Sequence, residues 1–118
     1  MSNSEERLYD LSLIEEMAMG DESFMKEIAE TFVSSVPPVV ELMVEYCKNG
    51  EWQKMGSEAH HLKSNIDTLQ IVSIKDEIRT IEANGKHGLD LDITPAIVDK
   101  VKLVLDKVID QIRIQYGL

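Results

Sequence analysis

Two adjacent histidines, His60 and His61, are the residues of this sequence whose chemistry most needs an explanation. They lie in the segment EAHHLKSN, residues 58 to 65, where apolar residues recur at the spacing of a helix. A free imidazole has a reference pKa of about 6.5, so near neutral pH it is largely uncharged and can act as a nucleophile. A histidine that accepts a phosphoryl group also needs a nearby cation and room for a bulky donor.

The neighbours of His60 meet both requirements. Gly56 and Ser64 lie one helical turn before and after His60. Both side chains are small, so they leave the imidazole ring uncovered on the helix surface. Lys63 lies on the same side of the predicted helix and supplies a positive charge. Helical periodicity exposes His61 as well, but Lys63 points nearly to the opposite side from it. The pattern therefore favours His60 as a phosphoryl acceptor and leaves His61 as a solvated helix residue.

Other interpretations of the same residues stay open or are disfavoured. A metal site made of Glu58, His60 and His61 is disfavoured, because adjacent residues of a helix point about 100° apart. Zinc sites on helices use histidine pairs four residues apart, and this sequence has none. Lys63 has an alternative interpretation as a solubilising charge, and Gly56 has one as a tolerated helix glycine.

Capping residues mark the helices that must position the two histidines. Ser12 and Glu15 have the spacing of a capping box at the start of a short first helix. Gly20 is placed to end that helix in a left-handed turn, and Asp21 is predicted to cap a second helix.

The second helix is predicted to kink or break near residues 35 to 38, because Pro37 and Pro38 each remove a backbone donor. A turn then leads to a third helix, from about Glu51 to Leu69, which carries both histidines. A fourth helix is predicted from one apolar stripe, which consists of Ile71, Ile74, Ile78 and Ile81.

The segment ANGKHGLDLD, residues 83 to 92, is predicted to be a loop because it has two glycines and no apolar period. Thr94 as cap and Pro95 at the first helical position predict the start of the last helix. Its apolar face consists of Val98, Val101, Val104 or Leu105, Val108 and Ile112. Short connections make neighbouring helices antiparallel. The sequence thus predicts an all-α, antiparallel up-and-down four-helix bundle with a short additional N-terminal helix.

Length and composition favour one globular domain. With 118 residues, 43% of them hydrophobic, the chain can bury a core. We expect a flexible lead-in at residues 1–10 and a helical domain at 11–118, monomeric because the bundle buries its own apolar stripes. The net charge of −10 disfavours nucleic acids and anionic membranes as partners. The single cysteine, the polar N-terminus and the lack of a long apolar run favour the cytoplasm.

Three segments of the sequence resemble the histidine-containing phosphotransfer (HPt) domains of two-component phosphorelays. AHHLKS, residues 59–64, is similar to the His-x-Leu-Lys-Gly motif of that family. GDESFMKEIAETFVSSVPPVVELM, residues 20–43, is similar to its Gly-Asp-x-x-Phe start and proline-containing second helix. NGEWQKMGSEAH, residues 49–60, resembles its acidic-Trp entry into the active-site helix. The resemblance covers about residues 8–86, and the last helix is similar only in character.

The resemblance implies a four-helix bundle whose exposed histidine takes a phosphoryl group from an aspartyl phosphate and passes it on. His60 matches the phosphoacceptor, and Lys63 matches the lysine that stabilises the phosphate. Ser64 stands where the family most often has glycine, so we expect reduced clearance. Gln70 stands where a second glycine is common, which puts the local turn geometry in question. Asp67 lies one turn further along the His60 face, placed to pair with Lys63 and weaken its pull on phosphate.

The partners implied by the resemblance are response-regulator receiver domains and a hybrid sensor histidine kinase. The receiver would supply Mg²⁺, and the chain would bring no cofactor of its own. Without a glycine-rich phosphate loop the chain is predicted to be a phosphocarrier and not an enzyme. An initial methionine and an end soon after the last helix favour a free-standing protein over an excised domain. The alternative function is a non-catalytic helical adaptor that binds receiver or kinase domains.

Further binding residues are predicted around the acceptor. Met17, on the short first helix, is a candidate for an adaptable docking patch. Arg79, Glu82 and Lys86 are expected at about the height of His60 if the third and fourth helices are antiparallel. An exposed polar stripe is the favoured interpretation of these three residues, and contact of one of them with the phosphate is the alternative. His87 receives no role.

Overall fold

The computed structural model describes residues 6–118, and within that range the chain is helical with no strand. The helices are α1 (Ser12–Ala18), α2 (Glu22–Lys48), α3 (Trp52–Thr68), α4 (Lys75–His87) and α5 (Thr94–Tyr116), with a 3₁₀ turn, Val72–Ile74, before α4. α3 packs between α2 and α4, α5 closes the bundle against α2 and α4, and α1 rests on α2. The predicted all-α four-helix bundle with a short extra helix is therefore confirmed.

The core contains apolar residues from all of these helices. Burial of helix faces at three- and four-residue steps supplies most of the stability of such a bundle. The large side chains that are least exposed are Ile14, Val36, Met43, Met55, Leu62, Ile66, Ile71, Ile74, Ile78, Ile81, Leu105 and Ile112.

The start of α1 differs from the prediction. Leu11 is the N-cap residue, and it makes no side-chain cap bond. Ser12 is the first helical residue. Its N–H donates to the Asp10 carboxylate at 2.8 Å. The predicted capping box at Ser12 is wrong, because the aspartate two residues earlier satisfies that free donor.

The turn between α1 and α2 is close to the prediction. The left-handed conformation begins at Met19, with φ 53°, and continues at Gly20, with φ 78°. Asp21 caps α2 as predicted, since its carboxylate accepts a hydrogen bond from the Phe24 N–H at 3.2 Å.

α2 runs without a break through Pro37 and Pro38, so the predicted break near residues 35–38 is wrong, and the alternative of a kink there stays a prediction. Each proline removes one backbone hydrogen bond from the helix. Val36 and Val40, on either side of the pair, are buried in the core. Their burial in the core stabilises the continuous helix and offsets the two lost bonds.

α4 continues to His87, so residues 83–87 of the predicted loop are helical and the prediction there is wrong. Asn84 is buried, and its side-chain amide donates to the Thr94 hydroxyl at 3.1 Å. This contact between α4 and the start of α5 stabilises the extra helical turn. Gly88, with φ 66°, then ends the helix in the left-handed conformation.

α5 begins at Thr94, and Pro95 lies in its first turn, as predicted. Thr94 is not a side-chain cap, however. Its buried hydroxyl donates to the Asp90 carbonyl at 2.8 Å and accepts from Asn84. Leu105 is buried and Val104 is half-buried, so Leu105 belongs to the core face.

The described part of the predicted lead-in, residues 6–10, makes contacts with the bundle, and its flexibility stays a prediction. Tyr9 is 4% exposed, and its hydroxyl donates to the Gln115 side chain at 2.5 Å. The Asp10 N–H donates to the Leu69 carbonyl at 2.9 Å. Residues 1–5 lie outside the described range, and the division of the chain at residue 10 stays a prediction. Across residues 6–118, none of the helices combines the length and the apolar character needed to span a membrane.

Candidate functional site

A close approach of α3 and α4 sets the geometry of the candidate site. A Cβ atom placed on Gly85 would lie 2.5 Å from the Trp52 carbonyl oxygen and 2.9 Å from the Gly56 Cα. A Cβ atom on Gly56 would lie 3.2 Å from the Glu82 carbonyl oxygen. The two buried glycines therefore let the helix backbones meet. Side chains of α4 consequently reach the exposed face of α3. Packing accounts for Gly56, and its role in clearance around His60 stays a prediction.

His60 lies on the exposed face of α3, with 62% of its side chain accessible. Its Nδ1 atom is 2.5 Å from the Oε2 atom of Glu82 on α4. An ionised carboxylate only accepts hydrogen bonds, so Nδ1 must carry the proton in this contact. The neutral ring then has its lone pair on Nε2, which is the nitrogen available for nucleophilic attack.

Lys63 is held beside the imidazole by the same carboxylate. Its ammonium donates to the Oε1 atom of Glu82 at 2.9 Å. Hydrogen bonding from Lys63 lowers the pKa of Glu82, and the contact with His60 lowers it further, while partial burial acts in the opposite direction. Glu82 is thus ionised near neutral pH, and it joins the imidazole and the ammonium into one cluster, His60–Glu82–Lys63.

An open surface cleft of about 500 Å³ lies beside His60. It gives a bulky group space beside the ring. The residues that line it are Gln53, Gly56, Ser57, His60, Glu82 and Lys86.

Asp67 does not pair with Lys63, and that expectation is wrong. The Asp67 carboxylate accepts from the Arg79 guanidinium at 2.7 Å, one turn along the groove between α3 and α4. This hydrogen bond is the main reason that the pKa of Asp67 is lowered. The Lys63 ammonium contacts the Glu82 carboxylate instead, at 2.9 Å. Asp67 therefore leaves the positive charge beside His60 in place.

His61 lacks the arrangement found around His60. It is equally exposed, but its Nδ1 atom is 3.8 Å from the Glu58 carboxylate, too far for a hydrogen bond. Its ring centroid lies 6.3 Å from that of His60. No contact of this kind fixes the tautomer of His61, so the structure distinguishes two histidines that periodicity treats alike.

The two positions that depart from the HPt motif have clear local structures. Ser64 is exposed, and its hydroxyl donates to the His61 carbonyl at 3.5 Å. Gln70 adopts a left-handed conformation, with φ 50°, in the turn after α3. Its side-chain amide donates to the Asp10 carbonyl at 3.3 Å. A non-glycine residue is strained in this conformation by about 1 kcal/mol, and the hydrogen bond offsets part of that cost.

An apolar groove of about 300 Å³ lies between α1, α2 and α3. Asn65 and Thr68 line this groove from α3. Met17 is 64% exposed on α1. The docking role of Met17 stays a prediction. The residues that line the groove include Ile14, Phe24, Ile28, Phe32 and Leu69.

Glu82 is the site residue that sequence reasoning did not select. Its position on the antiparallel helix places it near the height of His60, but the same holds for Arg79 and Lys86. Arg79 is paired with Asp67, and the exposed Lys86 lines the cleft. The polar-stripe interpretation is wrong for Glu82, which contacts the imidazole directly. His87, the last residue of α4, is exposed.

Comparison with known proteins agrees with the motif. The chain is 31% identical over 72 residues to the phosphorelay intermediate protein YPD1 of Candida albicans. The matched segment is 61% of this chain and 39% of the relative, so it spans about two fifths of the relative's length. No family model matches the chain, and no solved structure matches it. The similarity to this phosphorelay protein agrees with the HPt resemblance of the sequence, and the helical bundle is consistent with it.

Proposed function

We propose that this HPt-like protein is a phosphocarrier in which His60 receives a phosphoryl group from a receiver-domain aspartyl phosphate and passes it to another receiver. One observation carries the proposal. The exposed imidazole is held at Nδ1 by Glu82, which also holds the Lys63 ammonium beside it. The similarity to a phosphorelay intermediate protein supports the same role.

The transfer step uses the lone pair on Nε2 of His60. This atom attacks phosphorus in line, a bond forms between Nε2 and phosphorus, and the bond from phosphorus to the acyl oxygen breaks. The aspartate leaves as a carboxylate, and the imidazole keeps its Nδ1 proton against Glu82. Because the hydrogen bond fixes the ring before the donor arrives, less orientational freedom is lost at the moment of attack.

Lys63 stabilises the phosphoryl group as negative charge gathers on its oxygens. The ammonium lies on the carboxylate that also contacts the imidazole, so it is close to the reacting ring before transfer begins. A docked partner excludes water from this surface, which strengthens the attraction between an ammonium and a phosphoryl group. Mg²⁺ held by the receiver would neutralise further charge, and the carrier contributes no cofactor of its own in this proposal.

The proposed partners are receiver domains and a hybrid sensor kinase. A receiver would cover the exposed His60 and the cleft beside it. The net charge of −10 favours a protein partner over a nucleic acid. A monomeric carrier in the cytoplasm fits this exchange.

The test is to mix the protein with a receiver that carries labelled phosphate on its aspartate, in the presence of Mg²⁺. The wild type should acquire label that is labile in acid and stable in base, and His60→Gln should acquire none. His61→Gln is the matched control and should be labelled like the wild type.

A binding measurement separates the carrier from an adaptor. The receiver should bind the wild type and His60→Gln with similar affinity, while only the wild type is labelled. Binding without label on either protein would instead establish a non-catalytic adaptor and refute the carrier.

A further inference from the structure

The hydrogen bond between Glu82 and His60 affects the phosphorylated protein as well as the unphosphorylated one. The carboxylate contacts Nδ1, whereas the phosphoryl group would reside on Nε2, on the other side of the ring. Phosphorylation therefore need not disturb the contact with Glu82. A proton that is held on Nδ1 before transfer can stay there afterwards.

The charged and titratable groups that face His60 come from α3 and α4, the helices that pack around it. They are Lys63 and His61 on α3, and Glu82 and Lys86 on α4, while Arg79 of α4 lies near Glu82. Among the described residues, Glu82 is the carboxylate in contact with the ring. Arg79 is engaged by Asp67, and Lys63 by the second oxygen of Glu82. The Nδ1 atom of the ring thus faces a carboxylate oxygen that can accept its hydrogen bond.

The proton on Nδ1 decides how easily the phosphoryl group leaves. If the ring of phosphohistidine carries the proton, Nε2 departs with the electron pair of the broken bond and the ring becomes neutral imidazole. If the ring lacks the proton, the same cleavage must release an imidazolate anion, which is a far poorer leaving group. This is why phosphohistidine is labile in acid and stable in base.

We propose that Glu82 is a positioning residue that keeps the Nδ1 proton on phosphorylated His60, so that the phosphoryl group stays ready to leave at neutral and mildly basic pH. This inference rests on the proposed phosphocarrier function and adds a property of its intermediate. During transfer the bond from Nε2 to phosphorus breaks, and an acceptor carboxylate or a water oxygen bonds to phosphorus. The imidazole ends neutral, with its proton still on Nδ1.

The experiment loads His60 chemically with phosphoramidate, so that no receiver is needed, and measures the lifetime of the phosphohistidine. At about pH 8 the lifetime in Glu82→Gln should be about fivefold longer than in the wild type, because a charge-assisted hydrogen bond is roughly twice as strong as a neutral one. In acid the lifetimes should become equal, since the solvent then supplies the ring proton in both proteins. Glu58→Gln is the matched control beside His61 and should behave like the wild type at both pH values.

A second pair of variants separates proton retention from the release of Lys63. Glu82→Gln also frees the Lys63 ammonium, which by itself could stabilise the phosphoryl group. The comparison is therefore repeated with Lys63→Met in both proteins. Proton retention predicts that Glu82→Gln still lengthens the lifetime there, and an effect that disappears without Lys63 would overturn the proposal.

A spectroscopic measurement reads the proton directly. The ¹⁵N chemical shifts of His60 in the phosphorylated wild type should show a protonated Nδ1 at about pH 8, whereas Glu82→Gln should show loss of that proton. Equal lifetimes and equal spectra in the two proteins would refute the role of Glu82. If chemical loading succeeds while a phosphorylated receiver transfers nothing, the carrier function fails and the chemistry of Glu82 is still measured.

Discussion

Gly85→Ala tests whether the close approach of α3 and α4 is what builds the site. The added Cβ would lie 2.5 Å from the Trp52 carbonyl oxygen and 2.9 Å from the Gly56 Cα, and both of these are backbone atoms. A backbone cannot rotate away as a side chain can, so the two helices must separate. Overpacking of this kind costs up to about 3 kcal/mol. The better helix propensity of alanine returns about 1 kcal/mol. We therefore expect the free energy of unfolding to fall by about 2 kcal/mol.

Urea unfolding followed by circular dichroism measures this loss, with the midpoint and slope compared between variant and wild type. Gly56→Ala is the graded control, because its Cβ would meet the Glu82 carbonyl oxygen at the longer distance of 3.2 Å. It should lose less stability than Gly85→Ala. A Gly85→Ala protein as stable as the wild type would refute the argument that these glycines are required for packing.

The same variant reports on the site. Separation of α3 from α4 lengthens the distances from Glu82 to His60 and Lys63, which are 2.5 Å and 2.9 Å in the native protein. Phosphoryl transfer from a receiver should therefore slow in Gly85→Ala at temperatures where the variant remains folded. Unchanged transfer in a measurably destabilised protein would separate the packing of the helices from the chemistry of the site.

Three further predictions concern single contacts. Lys63→Ala should slow phosphorylation by a receiver about tenfold, which corresponds to about 1.4 kcal/mol in the activation barrier. Its circular dichroism spectrum should be unchanged. A rate equal to that of the wild type would show that Lys63 is only a solubilising charge. Asn84→Ala should lower the free energy of unfolding by about 1–3 kcal/mol, because it removes a buried hydrogen-bond donor to Thr94. An unchanged midpoint of urea unfolding would contradict this prediction. The pKa of Asp67 is lowered by its hydrogen bond to Arg79. This pair therefore stabilises the fold at pH values above 3.8, the ordinary pKa of aspartate, and its contribution is lost as the pH falls below that value. Asp67→Asn should therefore reduce the acid-side slope of unfolding free energy against pH, and identical slopes would show that the pair adds no stability.

Sequence reasoning was most accurate where one helix decides the outcome. Asp21 caps α2 because a carboxylate at that position satisfies a free N–H of the first turn. The exposure of His60 follows from its angle to the apolar stripe of α3. Both properties depend on residues within about one turn of each other. No knowledge of the neighbouring helix is needed to obtain them.

The errors arose where two helices meet. Pro37 and Pro38 were predicted to interrupt α2, but the burial of neighbouring valines in the bundle holds the helix together. Residues 83–87 were predicted to be a loop, but they are helical. A hydrogen bond from Asn84 to Thr94, at the start of the next helix, stabilises this helical turn. A local pattern contains no record of such contacts, so local propensity was overruled in both places.

The amino-acid sequence by itself determined the helices, the side of α3 that faces water and the presence of a lysine near an exposed histidine. These follow from the period of 3.6 residues and from the chemistry of each side chain. Only the tertiary structure decided that Glu82 holds both His60 and Lys63, and that Asp67 turns to Arg79 instead. The reason is that partners across two helices depend on their axial register and separation. The contact between Gly56 and Gly85 sets that separation, which the periodicity of a single helix cannot specify.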